Sequence, residues 1–357
     1  VAERLAPAMR EALSMVAPGR PLREGLDRIL QAKMGAIIVV GDDPDVLAIC
    51  SGGFLLDAEF SPQRMYELAK MDGAIILDKD IRRIARANVH LVPNPSVPTH
   101  ETGTRHRTAE RVARSLDVPV ISVSEAMGSI SVYRNDQKQV LHTISWLIDR
   151  TSQALQTLQR FKQRLDAVTS TLSTVEVEDL VTVRDVATVL QRAEMVMRIA
   201  SEVDGFLVEL GEDGRLFALQ LDELVEGVEQ DKRLVMRDYL YDDGLDSLQE
   251  AIGELSRLSI EDLLDLKQVI RILRLPPELN DPDASIEPRG YRLLFRLPRF
   301  PESVIEHIVK KFGTLQHVMR ASISELEEVG GVGQARAKSV KDGLARLTEA
   351  SILERYD

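Results

Sequence analysis

One cysteine in 357 residues leaves no partner for an internal disulfide, so packing and hydrogen bonds must hold the fold. That residue, Cys50, closes the apolar run Val46-Leu47-Ala48-Ile49-Cys50 and reads as a small buried hydrophobe, not a reactive thiol. Aromatic residues make up only 4% of the chain, which excludes rows of stacked rings as a means of holding nucleic acid. Arginine, lysine and backbone amides would have to do that work. No stretch approaches the roughly 18 apolar residues that cross a bilayer. Residues Val1 to Arg10 mix acids, bases and apolar side chains without a continuous apolar core. Neither a signal peptide nor an anchor is expected, and the expected address is the cytoplasm. Proline is missing between Pro119 and Pro276, and glycine between Gly128 and Gly205, which points to long helices there.

What is there is a soluble-type composition, 44% hydrophobic and 29% charged, long enough for two or three domains. The net charge of −12 argues at first against a nucleic-acid partner. Charge is uneven, however. From Arg289 to Asp357, 12 arginines and lysines face 9 acids, a net of +3, and the remainder carries −15. A basic end on an acidic body is compatible with a dedicated DNA-binding segment.

The expected fold is multidomain. Residues 1–140 read as an α/β domain with a central mixed β-sheet flanked by helices. Ala36 to Val40, Ala74 to Leu77 and Val118 to Val123 are β-branched apolar runs suited to a buried sheet. Amphipathic stretches at Pro62 to Lys70 and Arg105 to Leu116 lie between them. Residues 141–285 read as an all-α spine. Leu141, Ile148 and Leu155 follow one sevenfold track, and Ile144, Leu158, Leu165 and Leu172 follow another. Thr151, Lys162 and Thr169 interrupt these tracks, favouring a packed bundle over a coiled coil. Gly205 to Leu210, followed by Gly211-Glu212-Asp213-Gly214, reads as a hairpin or a loop. Pro276 to Pro288 reads as a linker, and residues 286–357 as an all-α tail.

Within that tail, Leu326 to Val340 contains a short helix ending near Val329, a glycine turn and a second helix from about Gly333. Gly331 and Gly333 permit a tight turn and a close approach to phosphate, and the amides opening the second helix can donate to it. Ala337 lets the two helices pack closely, and Arg336, Lys338 and Lys341 supply attraction independent of sequence. The bland alternative is a glycine-capped helical hairpin without a ligand. The pattern resembles the helix-hairpin-helix DNA-binding motif, which implies Gly331, Val332, Gly333, Gln334, Ala335, Arg336 and Lys338 as DNA-binding residues. Leu297 to Ile308 resembles a degenerate first copy, with proline where the hairpin glycine would stand.

Two clusters in the α/β part carry chemistry. In Met71-Asp72-Gly73-Ala74, an acid and a glycine stand at the mouth of an apolar strand, suited to a divalent ion beside a phosphate or ribose. An ordinary Asp-Gly turn is the alternative. In Glu101-Thr102-Gly103-Thr104-Arg105-His106-Arg107-Thr108, a Thr/Gly loop opens a helix and cationic side chains follow at once. Amides at a helix mouth and guanidinium forks make an anion site. A solvated basic helix start would set arginines against the helix dipole. There is no Walker A pattern, no Cys/His metal spacing and no Ser/His/Asp set.

Asp72-Gly73-Ala74, followed about thirty residues later by Gly103-Thr104-Arg105-His106-Arg107, resembles the paired signature of the diadenylate cyclase domain. With the helical middle and the hairpin tail, the whole chain is similar to the DNA integrity scanning family. The resemblance implies two ATP molecules held face to face by domains of different protomers and joined into cyclic di-AMP with Mg²⁺ or Mn²⁺. It implies Asp72 at the metal, Gly73 and Ala74 along the sugar-phosphate path, and Gly103, Thr104, Arg105, His106, Arg107 and Thr108 on the phosphates. Leu91 is expected against adenine, and Ser124 and Glu125 beside the phosphates or metal. It further implies a homo-octamer, nucleoid association and suppression of synthesis by branched DNA. The competing expectations are a nucleotide-sensing DNA-repair protein without turnover and, more weakly, a helix-hairpin-helix nuclease.

Overall fold

The computed structural model describes residues 6–242, 244–298 and 300–354. They divide into two compact units: residues up to Leu155 together with Ser201–Leu221, and Gln156–Ala200 together with residues from Asp222 onward.

The first unit is built on an eight-stranded sheet: β1 (Ala36–Val40), β2 (Cys50–Ser51), β3 (Phe54–Glu59), β4 (Ala74–Leu77), β5 (Arg83–Leu91), β6 (Val120–Ser124), β7 (Ser129–Arg134) and β8 (Gln137–Val140). Its order is β2-β5-β4-β1-β6-β7-β8, with β3 also paired to β5. β1 and β4 run parallel, and the other strand pairings among the described residues are antiparallel, so the sheet is mixed. Alternate residues feed two apolar layers. Ile38, Val40, Ile75, Leu77, Ile121 and Val123 pack with side chains of α1 (Pro7–Met15), α2 (Pro21–Gln31) and α4 (Pro62–Leu68). Ile37, Val39, Ala74, Ile76 and Val120 pack under α5 (Thr104–Leu116) and beside Val46 of the short α3 (Pro44–Ala48). Because both faces are covered, β1 and β4 are unbroken apolar runs, and each fully buried aliphatic side chain contributes about 1.5–3 kcal/mol.

Four further strands, β3, β5, β7 and β8, carry charged or exposed residues and lack that signature. Cys50 is half-buried on β2, its Sγ 3.2 Å from the Val46 carbonyl, and burial raises its pKa. The reading of an unreactive thiol fits.

The helical part begins with α6 (Ile144–Glu178) and α7 (Val183–Leu210). Leu155, Leu158, Leu165 and Leu172 are buried, whereas Ile144 and Ile148 are exposed. Two residues taken as interruptions, Thr151 and Thr169, are themselves buried, so the inward face of α6 is a bundle face and not a heptad seam. Gly205 to Leu210 is not a hairpin or a loop. It continues α7, and Gly211–Gly214 is a 3-10 turn. Val203 and Leu210 are buried at helical spacing, and a short apolar run such as Phe206-Leu207-Val208 satisfies both the helical and the strand period.

Shorter helices follow: α8 (Arg215–Val225), α9 (Val228–Tyr239), α10 (Leu245–Arg257), α11 (Ile260–Leu264) and α12 (Leu266–Ile272). The proline-rich stretch read as a linker is pinned, not a loose tether. Thr182 bridges Ser285, the Val183 amide donates to the Ala284 carbonyl at 3.0 Å, and Arg184 pairs with Asp283 at 2.9 Å. The tail holds α13 (Tyr291–Phe295), α14 (Glu302–Phe312), α15 (Leu315–Arg320), α16 (Ile323–Glu327) and α17 (Gln334–Glu354) around one apolar cluster.

A polar knot joins α6, α9 and α13 inside the second unit. Arg292 and Glu176 form an ion pair with 0% and 1% of their side chains exposed. The Tyr239 hydroxyl donates to the same carboxylate at 2.8 Å. Asp238 accepts the amides of Gly290, Tyr291 and Arg292 at 2.7, 2.6 and 2.9 Å, capping α13. Charges buried this deeply are tolerated only when paired and hydrogen-bonded.

Candidate functional site

The N-terminal edge of β4 and the first turn of α5 meet. Asp72 stands just before β4, with its carboxylate 90% exposed, and its Oδ1 accepts from Arg105 Nη2 at 2.7 Å. The two sequence clusters therefore touch. Three backbone facts bring this about. First, Gly73 lies so close to β5 that a Cβ there would sit 2.5 Å from the Asn88 backbone, so only glycine fits. Second, the β1–β4 and β1–β6 registers bring Asp72, Gly35 and Ser124 to the same end of the sheet. Third, the Arg105 guanidinium crosses Gly35, where a Cβ would fall 2.1 Å from Nη1. Gly35 was not among the sequence candidates, and nothing local singles it out.

Gly103 is the N-cap of α5, and no side chain caps that helix. The Arg107 amide already bonds the Gly103 carbonyl, so the amides of Thr104, Arg105 and His106 are the ones left without an intrahelical acceptor. Thr104 and Arg107 are exposed and Thr108 half-buried. Arg107 folds back on the loop, donating to the carbonyls of Glu101 and Thr102 at 3.3 and 3.4 Å. Farther along the same face of α5, Glu110 binds Thr99 and His100, Arg111 the Val97 carbonyl, and Arg114 the Pro98 carbonyl. These contacts fasten the proline-rich loop against the helix and set where the helix mouth lies.

His106 does not stand beside its neighbours as an open cation. Only 8% of it is exposed, and its Nδ1 lies 2.8 Å from the Tyr133 hydroxyl. Tyr133 donates to Glu101 at 3.1 Å, and Glu101 pairs with Lys138 at 2.5 Å. Burial pushes the His106 pKa down, partly offset by Glu101. Burial, then Glu101, pushes the Tyr133 pKa up. Burial opposes the Glu101 charge, but the bonds from Lys138 and Tyr133 prevail and lower its pKa. His106, which follows the loop together with two arginines, is thus a largely neutral, inward-anchored ring and not a third open cation.

Ala74 is buried as the first residue of β4. The Leu91 side chain is taken up by the apolar layer under α5, which leaves its backbone for any nucleotide contact. Ser124 accepts the Met127 amide at 3.2 Å in the turn after β6, and Glu125 is exposed beside it. No group of three or more His, Cys, Asp or Glu suited to a metal occurs among the described residues. A single open carboxylate still fits Mg²⁺ or Mn²⁺, which bind through one or two carboxylates plus substrate phosphates.

In the tail, α16 and α17 flank the glycine turn. Gly331 has φ +87°, a conformation that favours glycine, and a Cβ there would crowd Val304 at 3.1 Å. Gly333, Gln334, Ala335 and Lys338 are exposed. Val332 is 4% exposed, so its side chain belongs to the core and only its backbone faces the turn. Arg336 donates to the Gly331 carbonyl at 2.6 Å, bracing the hairpin. Lys341 is likewise engaged, at 2.6 Å from the Met319 carbonyl. In the degenerate first copy, Pro301 is the N-cap of α14, and Arg299 lies outside the described residues.

An α/β domain that gathers a carboxylate, a guanidinium and open helix amides at one sheet edge is a nucleotide-handling domain. Residues 23–138 match the family described as DisA bacterial checkpoint controller nucleotide-binding, and residues 141–281 match the DisA bacterial checkpoint controller linker region. The chain is 53% identical to the DNA integrity scanning protein DisA of Kineococcus radiotolerans over 349 residues, covering 98% of this chain and 97% of that one. It is 53% identical to the protein of the same description from Acidothermus cellulolyticus, and 52% to that of Frankia casuarinae, covering 95% and 97% of those chains. The chain belongs to the DisA family. It is a diadenylate cyclase, a nucleotidyltransferase, and the expectation of a sensor without turnover falls. No helix among the described residues is long and apolar enough to cross a membrane.

Proposed function

We propose that the chain condenses two ATP molecules into cyclic di-AMP and two pyrophosphates at a site completed by a second protomer. Each ribose 3′-hydroxyl attacks the α-phosphorus of the facing ATP, forming a P–O bond as the bond to pyrophosphate breaks. The observation that carries this reading is the Asp72–Arg105 contact at 2.7 Å, which gathers acid and cation at one point. On ATP binding, Arg105 exchanges the carboxylate for triphosphate oxygens. Asp72 is then free to hold a divalent ion, which would supply charge neutralisation at the phosphates and polarisation of the attacking hydroxyl. The open amides of α5, joined by the Arg107 guanidinium once it leaves the Glu101 and Thr102 carbonyls, meet the charge that develops on pyrophosphate. Gly73 and Ala74 line the sugar-phosphate path.

One protomer offers one half-site, so turnover requires assembly, here taken as an octamer. Phe54, Leu55 and Leu56 are 55%, 78% and 37% exposed on β3, an apolar stretch of the kind that self-association covers. The hairpin at Gly331 to Lys338 binds DNA through backbone and shape without reading sequence, in the cytoplasm at the nucleoid. Branched DNA held there lowers synthesis.

The test is incubation of the purified full chain with ATP and Mn²⁺ or Mg²⁺, reading products by mass. Cyclic di-AMP and pyrophosphate in a 1:2 ratio support the reaction. ATP bound without turnover, or hydrolysis to ADP, overturns it.

A further inference from the structure

The chain Lys138–Glu101–Tyr133–His106 lies outside the residues assigned to ATP, except for His106 itself. Its hydrogen bonds leave little choice of direction. Glu101 is ionised, held by Lys138 at 2.5 Å, and a carboxylate only accepts. The single Tyr133 proton therefore goes to Glu101, at 3.1 Å. Toward His106, at 2.8 Å, the Tyr133 oxygen can then only accept, which requires a proton on His106 Nδ1. A neutral ring protonated there carries its lone pair on Nε2. The Cδ2 edge next to that nitrogen lies against Gly103, 3.6 Å from where a Cβ would sit, at the mouth of α5.

We infer that Glu101 and Tyr133 are positioning residues that lock His106 in the Nδ1–H tautomer, so that its Nε2 enters the cyclase site as an acceptor. Neutral His106 therefore meets a hydroxyl or water proton at the site, and meets a phosphate oxygen only after Nε2 gains a proton. Orientation through a hydrogen-bonded partner is how many proteins fix the tautomer of a working histidine. The inference rests on the cyclase reading for its catalytic meaning, but the tautomer can be read without turnover.

Two measurements on the full chain test it. The first is the ¹⁵N spectrum of selectively labelled histidine, with His106 assigned by its loss in His106→Gln. A pyridine-type Nε2 and a pyrrole-type Nδ1 are expected. The reverse pattern overturns the inference, even if the protein makes no cyclic di-AMP. The second is steady-state kinetics of Tyr133→Phe and Glu101→Gln, each checked for folding by thermal melting. In Glu101→Gln the charge that draws the Tyr133 proton away from His106 is lost, which frees the hydroxyl to turn to His106 Nδ1 and lets Nε2 carry the proton. A loss of kcat of about 10- to 100-fold with KM for ATP unchanged is expected for Glu101→Gln, and a smaller loss for Tyr133→Phe. Unchanged kcat in folded Glu101→Gln, or equal loss through KM alone, sinks the positioning role. Should Tyr133→Phe fail to fold, Glu101→Gln and the wild-type spectrum decide. An inactive wild type would sink the cyclase reading and leave the spectrum to judge the tautomer.

Discussion

Asp72 and Arg105 meet with the carboxylate 90% exposed, whereas Glu176 and Arg292 meet with neither side chain more than 1% exposed. The chemical groups are the same, and the surroundings set what each pair can do. An exposed pair is worth about 0–1 kcal/mol, so a triphosphate and a metal can displace it at little cost. A buried pair that loses one partner leaves an uncompensated charge and costs about 3–5 kcal/mol. The α/β unit thus keeps its arginine–carboxylate contact exchangeable, and the helical unit keeps its own permanent. Exposure separates the pair proposed to work from the structural one.

The comparison can be broken in five places. Asp72→Asn should lower kcat for cyclic di-AMP by about 1000-fold, the scale of losing a preorganised electrostatic group, with the melting of both units unchanged. Retention of activity would mean that the exposed pair is only a surface contact. Glu176→Ala should destabilise the helical unit by about 3–5 kcal/mol in denaturant titration, leaving the α/β transition in place. An effect below about 1 kcal/mol would put this pair in the same class as the exposed one.

Gly331→Asp should weaken DNA binding by about tenfold or more, since it adds a like charge and a strained backbone where phosphate approaches. ATP turnover without DNA should not change. If branched DNA still inhibits a variant that no longer binds DNA, the proposed regulatory role of the hairpin is wrong. Gly35→Ala should lower kcat/KM several-fold, on the order of 1 kcal/mol, because the new methyl displaces the Arg105 guanidinium.

The smallest effect is in pH. The lowered pKa of His106 means that the unfolded chain takes up its proton first as pH falls. Stability of the α/β unit is therefore complete above about pH 6.5 and declines below it, and His106→Gln should flatten that slope in melts from pH 5 to 8.

The strands legible in the sequence, β1, β4 and β6, lie in the middle of the sheet with both faces covered, where burial favours apolar residues; β6 departs from this only at Ser122 and Ser124. β5 alternates apolar residues with Arg83, Arg86 and His90 and could not be told from a loop by apolar content. The glycine turn at 331 and the helices around it were legible because turn chemistry is local. So was the meeting of the Asp72 and Arg105 segments. The inward turn of His106 was not, because Tyr133 and Glu101 lie 27 and 5 residues away and only the sheet brings them together. Gly35 is visible only through strand register, and the Glu176–Arg292 pair spans 116 residues.

The most direct measurement is a structure of the full chain with 3′-deoxy-ATP, which cannot cyclise, and Mn²⁺. The account predicts that the Arg105 guanidinium leaves Asp72 for triphosphate oxygens while the Asp72 carboxylate turns to the metal. An intact Asp72–Arg105 pair, with the triphosphate bound at some other edge of the sheet, would contradict it.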